Sequence, residues 1–147
     1  MVSSSTPDRM NRPAKVLIID DDELTTATFA QMLRLEGHEV QTAQNAKTAL
    51  GDASALAPDA IIVDLHMPVM DGLTFVRKLR AQEQGHPTPV AMVTGDYSMN
   101  QSVSDALKDL GVTLCFKPLW LEDLVKLTGS LLTNDAASRA EPAPIAH

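Results

Sequence analysis

Acidic side chains end two apolar runs of this sequence. Asp20, Asp21 and Asp22 follow a first run, and Asp64 follows a second one. Carboxylates that converge repel one another and cost stability. Their placement at the ends of apolar runs therefore indicates a site that binds a cation or handles phosphate.

Two later apolar runs end in a hydroxyl and in an ammonium group. Thr94 and Gly95 follow one of these runs, and Lys117 and Pro118 follow the other. Gly95 has two interpretations: it leaves space for a phosphoryl group, or it is ordinary turn chemistry. Acids, a hydroxyl and an ammonium group thus all follow apolar runs, so the position of those runs decides whether they meet.

Short apolar runs alternate with helical patterns along the chain, which is typical of parallel strands linked by crossover helices. The predicted strands lie near residues 15–20, 39–43, 60–64, 90–94 and 112–116. The predicted helices lie near residues 23–36, 46–56, 72–82, 98–110 and 121–133. The second strand is more polar and is expected at an edge. The other four are apolar enough to be covered on both faces.

These units predict an α/β fold, a flavodoxin-like doubly wound (βα)5 sandwich with a parallel five-stranded sheet in the order 2-1-3-4-5. Right-handed crossovers place the ends of all parallel strands at one rim. The first and third strands are neighbours in this order, so Asp20, Asp21 and Asp64 are expected to meet there. Residues 1–14 and 134–147 lack periodicity and are predicted to be flexible, leaving 15–133 as one domain.

The predicted rim suits phosphoryl chemistry. Carboxylates on neighbouring strands, about 4.8 Å apart, can share one divalent cation, and Mg²⁺ suits a set of oxygen ligands. Thr94 is near enough to hydrogen-bond a group mounted on Asp64, and Lys117, roughly 10 Å across the sheet, can reach a phosphoryl group bound there. A carboxylate attacks phosphorus to form an aspartyl phosphate when the charge on the phosphoryl oxygens is offset.

Four short motifs lie at the predicted strand ends. They are Ile18–Asp22, Val63–Gly72 with its Met-Pro and Asp-Gly pairs, Val93–Gly95 and Lys117-Pro118. Each motif is weak alone. Together, in this order and over about residues 15–133, they resemble the receiver domain of bacterial two-component response regulators.

The resemblance implies a Mg²⁺ site around the phosphoacceptor, Asp64. Asp21 and Asp64 are then direct ligands, and Asp20 assists through a water molecule. The backbone carbonyl of His66 completes the protein ligands. Asp22 is expected to be solvated or to cap the first helix.

The resemblance also implies roles around the phosphoryl group. Thr94 and Lys117 hold it, and the Lys117-Pro118 peptide bond is cis. The side chains of His66 and Asp96 lie at positions where such domains tune how quickly the phosphoryl group is lost.

The sequence departs from the family at one position. Many receivers carry an aromatic residue three positions before the lysine, and it turns inward when the threonine moves toward the phosphoryl group. Leu114 stands there and lacks such a ring. We hypothesise that Tyr97, the only tyrosine, contributes to switching instead.

The function expected is that of a stand-alone receiver, a signalling phosphoacceptor rather than an enzyme. A histidine kinase or a histidine phosphotransfer protein donates the phosphoryl group, and an unknown downstream protein is the target. Only 14 residues follow Thr133, which leaves no room for an output domain.

Composition excludes other classes of protein. The net charge of −7 and the absence of a basic cluster argue against binding nucleic acid. No stretch approaches the roughly 20 apolar residues that span a membrane. The single cysteine, Cys115, lies in an apolar run and is predicted to be a buried thiol, so a cytoplasmic location is expected.

Two alternatives stay open. A pseudo-receiver binds partners without being phosphorylated, against which the complete set of acids, threonine and lysine argues. A phosphatase of the haloacid dehalogenase type would use the Asp-x-Asp of Asp20 and Asp22. Leu24 stands where that family has Thr or Val.

Overall fold

Five strands alternate with five helices in the computed structural model, which describes residues 13–137. The strands are β1 (Lys15–Ile19), β2 (Glu39–Ala43), β3 (Ala60–Val63), β4 (Val90–Thr94) and β5 (Val112–Phe116). The helices are α1 (Glu23–Leu35), α2 (Ala46–Leu56), α3 (Gly72–Gln82), α4 (Gln101–Asp109) and α5 (Leu121–Ala137).

The strands form one parallel sheet in the order β2-β1-β3-β4-β5, so the predicted fold class is confirmed. In the register of β1 and β3, Ile19 lies opposite Val63. The next residues, Asp20 and Asp64, therefore leave the sheet side by side. A hydrogen bond from the backbone N–H of Asp64 to the carbonyl of Ile19, 3.0 Å long, continues the ladder to this point.

Alternate side chains of the central strands enter two cores, one on each face of the sheet, as the period of two in a strand requires. The core under α2, α3 and α4 includes Leu17, Ile19, Ile61, Val63, Phe75 and Leu107. The core under α1 and α5 includes Val16, Ile18, Ile62, Phe29, Leu33 and Leu124. Both faces are thus covered, and the strand ends stay open at the rim.

The two edges of the sheet differ from the prediction in one respect. β2 is an edge strand, as expected. β5 was predicted to be covered on both faces, and this is wrong because β5 is the other edge and its side chains are only partly covered. Cys115 is accordingly half-buried rather than buried, and Phe116 is 39% exposed.

Side-chain caps define where most helices begin. Asp22, Asn45 and Asp71 accept hydrogen bonds from the first turns of α1, α2 and α3. The predicted start of α4 at residue 98 is wrong, since Asn100 caps this helix and Gln101 is its first residue. The segment before Asn100 instead forms a turn, in which the carboxylate of Asp96 accepts hydrogen bonds from the N–H and the hydroxyl of Ser98.

The two chain ends fall partly outside the described residues. Residues 1–12 and 138–147 of the segments predicted to be flexible lie outside them. α5 continues to Ala137, beyond the predicted end at residue 133. Ala14 is buried, and its carbonyl accepts a hydrogen bond from Glu39. Within residues 13–137, no helix combines the length and apolar character needed to cross a bilayer.

Candidate functional site

Three carboxylates converge at the rim of the sheet. Ligand oxygens of Asp20, Asp21 and Asp64 all lie within 4.8 Å of one another. Asp20 and Asp64 are 4% and 9% exposed, whereas Asp21 is exposed. The structure therefore brings together the three acids that the sequence predicted. An oxygen-only set of this kind fits a hard divalent cation.

Lys117 extends from the end of β5 into this acidic cluster. Its Nζ lies 3.1 Å from Oδ2 of Asp20 and 3.6 Å from Oδ1 of Asp64. The other carboxylate oxygen of Asp20 accepts a hydrogen bond from the N–H of Asp22. The ammonium group therefore offsets part of the negative charge that the acids bring together. From the sequence, Lys117 is predicted to reach toward a phosphoryl group on Asp64, and its pairing with Asp20 is not predicted.

The surroundings raise the pKa values of both Asp64 and Lys117. Burial raises the pKa of the Asp64 carboxyl, and the charge of Asp20 raises it further against the opposing effect of Lys117. Burial lowers the pKa of Lys117, but the hydrogen bond and the charge of Asp20 outweigh burial and raise it overall. The charged form of Asp64 is thus disfavoured, and Lys117 is held as a cation.

Thr94 closes the site on the side of β4. It is 1% exposed, and its hydroxyl accepts a hydrogen bond from the N–H of Asp96. Its carbonyl accepts a 2.8 Å bond from the N–H of Lys117. β4 pairs directly with β3, so Thr94 stands one strand beyond Asp64, as predicted.

A glycine allows α3 to begin against the backbone of Asp64. A Cβ on Gly72 would lie 2.4 Å from the carbonyl oxygen of Asp64 and 2.9 Å from Cε of Met92. The N–H of Gly72 donates to the carbonyl of Leu65 at 2.7 Å. The Asp-Gly pair of the second motif therefore fixes the main chain that carries Asp64.

His66 and Asp96 contact each other above the rim. Nε2 of His66 lies 2.7 Å from Oδ2 of Asp96. This hydrogen bond, with those from Ser98, lowers the pKa of the Asp96 carboxyl. The sequence singled out each residue but did not predict their contact, because it depends on the path of the loop after Thr94.

Comparisons with known proteins show which family this chain belongs to. The family described as response regulator receiver domain matches residues 16–128. The chain belongs to this family. The receiver is 36% identical over 124 residues to the transcriptional regulatory protein PrrA of Mycobacterium leprae, covering 84% of this chain and 52% of that protein. It is 32% identical over 122 residues to the response regulator MprA of Mycolicibacterium vanbaalenii, covering 82% of this chain and 51% of that one.

Solved structures show the same architecture. The chemotaxis protein CheY4 of Vibrio cholerae is 35% identical to this receiver, with a TM-score of 0.74 over 82% of this chain and 99% of that one. A CheY-like receiver domain protein of Methanospirillum hungatei is 24% identical with a TM-score of 0.78, over 86% and 98%. The receiver spans about half the length of the curated relatives it matches.

Three further features of the receiver concern the residues around Lys117. The Lys117-Pro118 bond is cis, as the resemblance implied. Leu114, three positions before the lysine, is half-buried and packs against the core under α2, α3 and α4. The ring of Tyr97 instead stacks on Phe116. Nothing in the sequence beyond the adjacency of Phe116 to Lys117 indicates this contact.

Proposed function

We propose that this receiver accepts a phosphoryl group on Asp64 in a Mg²⁺-dependent reaction and signals by changing a protein-binding surface. The observation that carries the proposal is the clustering of three carboxylates within 4.8 Å, with the ammonium group of Lys117 3.6 Å from Asp64. A purely structural cluster of this kind costs stability, since like charges are brought together and partly desolvated.

The residues present fit a magnesium ion. Asp21 and Asp64 would hold it directly, Asp20 through water, and the carbonyl of His66 would complete the protein ligands. When bound, Mg²⁺ supplies positive charge that offsets the charge on the phosphoryl oxygens. The exposure of Asp21 leaves the cluster open to solvent on one side, where an ion and a donor can enter.

In the proposed transfer, a carboxylate oxygen of Asp64 attacks phosphorus in line with the leaving group. A new P–O bond forms, and the bond to the donor breaks, the donor keeping the electron pair. Lys117 leaves Asp20 and binds a phosphoryl oxygen. The hydroxyl of Thr94 turns away from the N–H of Asp96 and donates a hydrogen bond to a second phosphoryl oxygen.

The donor in this proposal is a histidine kinase or a histidine phosphotransfer protein, and the target is a second protein. The cytoplasmic location, the stand-alone arrangement and the lack of nucleic-acid binding stay predictions of the sequence.

Intact mass after incubation with acetyl phosphate tests the proposal. The native chain with Mg²⁺ is expected to gain one phosphoryl group, and neither Asp64→Asn nor the native chain with a chelator is expected to gain one. Asp109→Asn is the matched control, because this exposed carboxylate ends α4 at the opposite rim of the sheet. It should gain the group as the native chain does.

Other outcomes favour the alternatives. A gain by both the native chain and Asp64→Asn rejects Asp64 as the acceptor. A gain by neither favours the pseudo-receiver. Turnover of a generic phosphate ester that is lost in Asp20→Asn but kept in Asp64→Asn favours a phosphatase of the haloacid dehalogenase type.

A further inference from the structure

Tyr97 bridges the loop after β4 and the end of β5. Its hydroxyl donates a hydrogen bond to the backbone carbonyl of Lys117. Its ring stacks on Phe116, with ring centroids 5.1 Å apart and planes 20° from parallel. The tyrosine therefore contacts the residue that carries the ammonium group and the residue before it.

Both backbone polar groups of Lys117 are held by this one loop. The carbonyl of Thr94, where the loop begins, accepts from the N–H of Lys117 at 2.8 Å. The hydroxyl of Tyr97, three residues after Thr94, donates a hydrogen bond to the carbonyl of Lys117. The loop thus fixes the main chain of the lysine from both sides, and through it the direction in which Nζ leaves the strand.

Burial does not account for the position of Tyr97. The residue is 69% exposed, so only a small part of its ring area is removed from water, and its contribution to folding is correspondingly small. An exposed tyrosine that keeps a stacking contact and a hydrogen bond to a site residue points to a role in the site.

We propose that Tyr97 is a positioning residue for Lys117. It couples the binding of a cation and a phosphoryl group at the acidic cluster to the exposed surface beside β5. This inference rests on the proposed function. Lys117 is now paired with Asp20 at 3.1 Å, and it must exchange that partner when a cation and a phosphoryl group enter. Because Tyr97 holds the carbonyl of Lys117, the exchange moves the stacked rings of Tyr97 and Phe116.

The affected surface carries its own reporter. Trp120 is the only tryptophan, lies three residues after Lys117 and is 68% exposed. Its backbone N–H donates a hydrogen bond to the carboxylate of Asp123, which ties the residue to the start of α5. A movement of the main chain at Lys117 is therefore expected to change the fluorescence of Trp120.

The test compares the native chain with Tyr97→Phe and Tyr97→Leu. Tyr97→Phe keeps the stacked ring and removes only the hydroxyl, and Tyr97→Leu removes both contacts. Each protein is titrated with Mg²⁺ and then given acetyl phosphate, while Trp120 fluorescence and intact mass are followed. Thermal unfolding of each variant checks that it is folded.

We expect Tyr97→Phe to gain one phosphoryl group, as the native chain does, but about three- to tenfold more slowly, the effect of one lost hydrogen bond. The fluorescence change should fall by at least half in Tyr97→Phe and further in Tyr97→Leu. A merely structural role would lower the melting temperature and leave the fluorescence response of the folded protein unchanged.

Native rates and an unchanged Trp120 response in a folded Tyr97→Phe would overturn the inference. If the native chain gains no phosphoryl group, the proposed function fails, and the Mg²⁺ titration alone decides the inference. A saturable native response that Tyr97→Phe loses then supports the coupling. An equal response in both proteins, or none in the native chain, rejects it.

Discussion

Among single residues, ionised Asp64 lowers the stability of the fold because of where its carboxylate lies. Its carboxylate lies beside Asp20 and Asp21 in a partly desolvated place, and its pKa is raised. An acid whose folded pKa exceeds the unfolded one destabilises the fold when ionised. This cost is present above the folded pKa and disappears as the pH falls below the unfolded pKa.

Asp64→Asn should therefore be more stable than the native chain at pH 7 without divalent ions. We expect a gain below about 1 kcal/mol, since water screens part of the repulsion. Urea unfolding between pH 7 and pH 3 measures it, and the gain should shrink toward acid pH. A lower stability of Asp64→Asn at pH 7 would contradict this account.

Asp96→Asn is the control of opposite sign. Hydrogen bonds from His66 and Ser98 lower the pKa of Asp96. A lowered pKa contributes stability that is present above the unfolded pKa and lost as the pH falls through the folded one. This substitution should reduce stability at pH 7 and have less effect in acid.

At the scale of elements, the start of α3 sets the position of Asp64. Gly72→Ala places a methyl group 2.4 Å from the Asp64 carbonyl, and this backbone atom cannot move without shifting the acceptor. We expect a loss of about 1–3 kcal/mol in unfolding free energy and slower phosphoryl uptake. Urea unfolding and intact mass measure the two effects.

Gly95→Ala is the matched control for Gly72→Ala. A Cβ on Gly95 meets nothing within 4 Å, and Gly95 is not among the glycines with positive φ in the described residues. The backbone therefore does not require a glycine there, and stability should change by less than about 0.5 kcal/mol. Equal losses in both variants would show that the close approach of Gly72 is not the cause.

Arg80 joins three elements at the rim opposite to the site. It donates to the carbonyl of Leu110 after α4, to the carbonyl of Thr88 before β4, and to Glu83 at the end of α3. Arg80→Met removes the donor to each of these acceptors, and the Glu83 carboxylate, 14% exposed, then keeps the N–H of Thr88. We expect a loss of about 2–3 kcal/mol in urea unfolding, whereas exposed Arg77→Met should have little effect.

Elements that depend on apolar period and caps could be predicted from the sequence. Asp20 and Asp64 were placed at one rim because each follows an apolar run and parallel strands end together. The start of α4 could not be predicted correctly, since the helical period before Asn100 competes with a turn around Asp96. Contacts across loops, such as Tyr97 on Phe116, depend on a chain path that no periodicity encodes.

At the scale of the whole molecule, ion binding and folding are linked. A ligand that binds only the folded state stabilises it by RT ln(1 + [L]/Kd), roughly 2.7 kcal/mol at 100 times Kd. Mg²⁺ should therefore raise the melting temperature of the native chain. Asp21→Asn, a change at an exposed residue, should weaken this effect without unfolding the protein. An equal Mg²⁺ effect in both would remove Asp21 from the ligands.

The whole fold serves to bring one carboxylate into reach of a phosphoryl donor, and the position of the product tests this most directly. Borohydride reduces an aspartyl phosphate to an alcohol and so marks the residue that carried the group. After treatment of the native chain with acetyl phosphate, Mg²⁺ and borohydride, peptide mass mapping should find homoserine at position 64. Homoserine at position 20, 21 or 22, with an intact Asp64, would contradict the account.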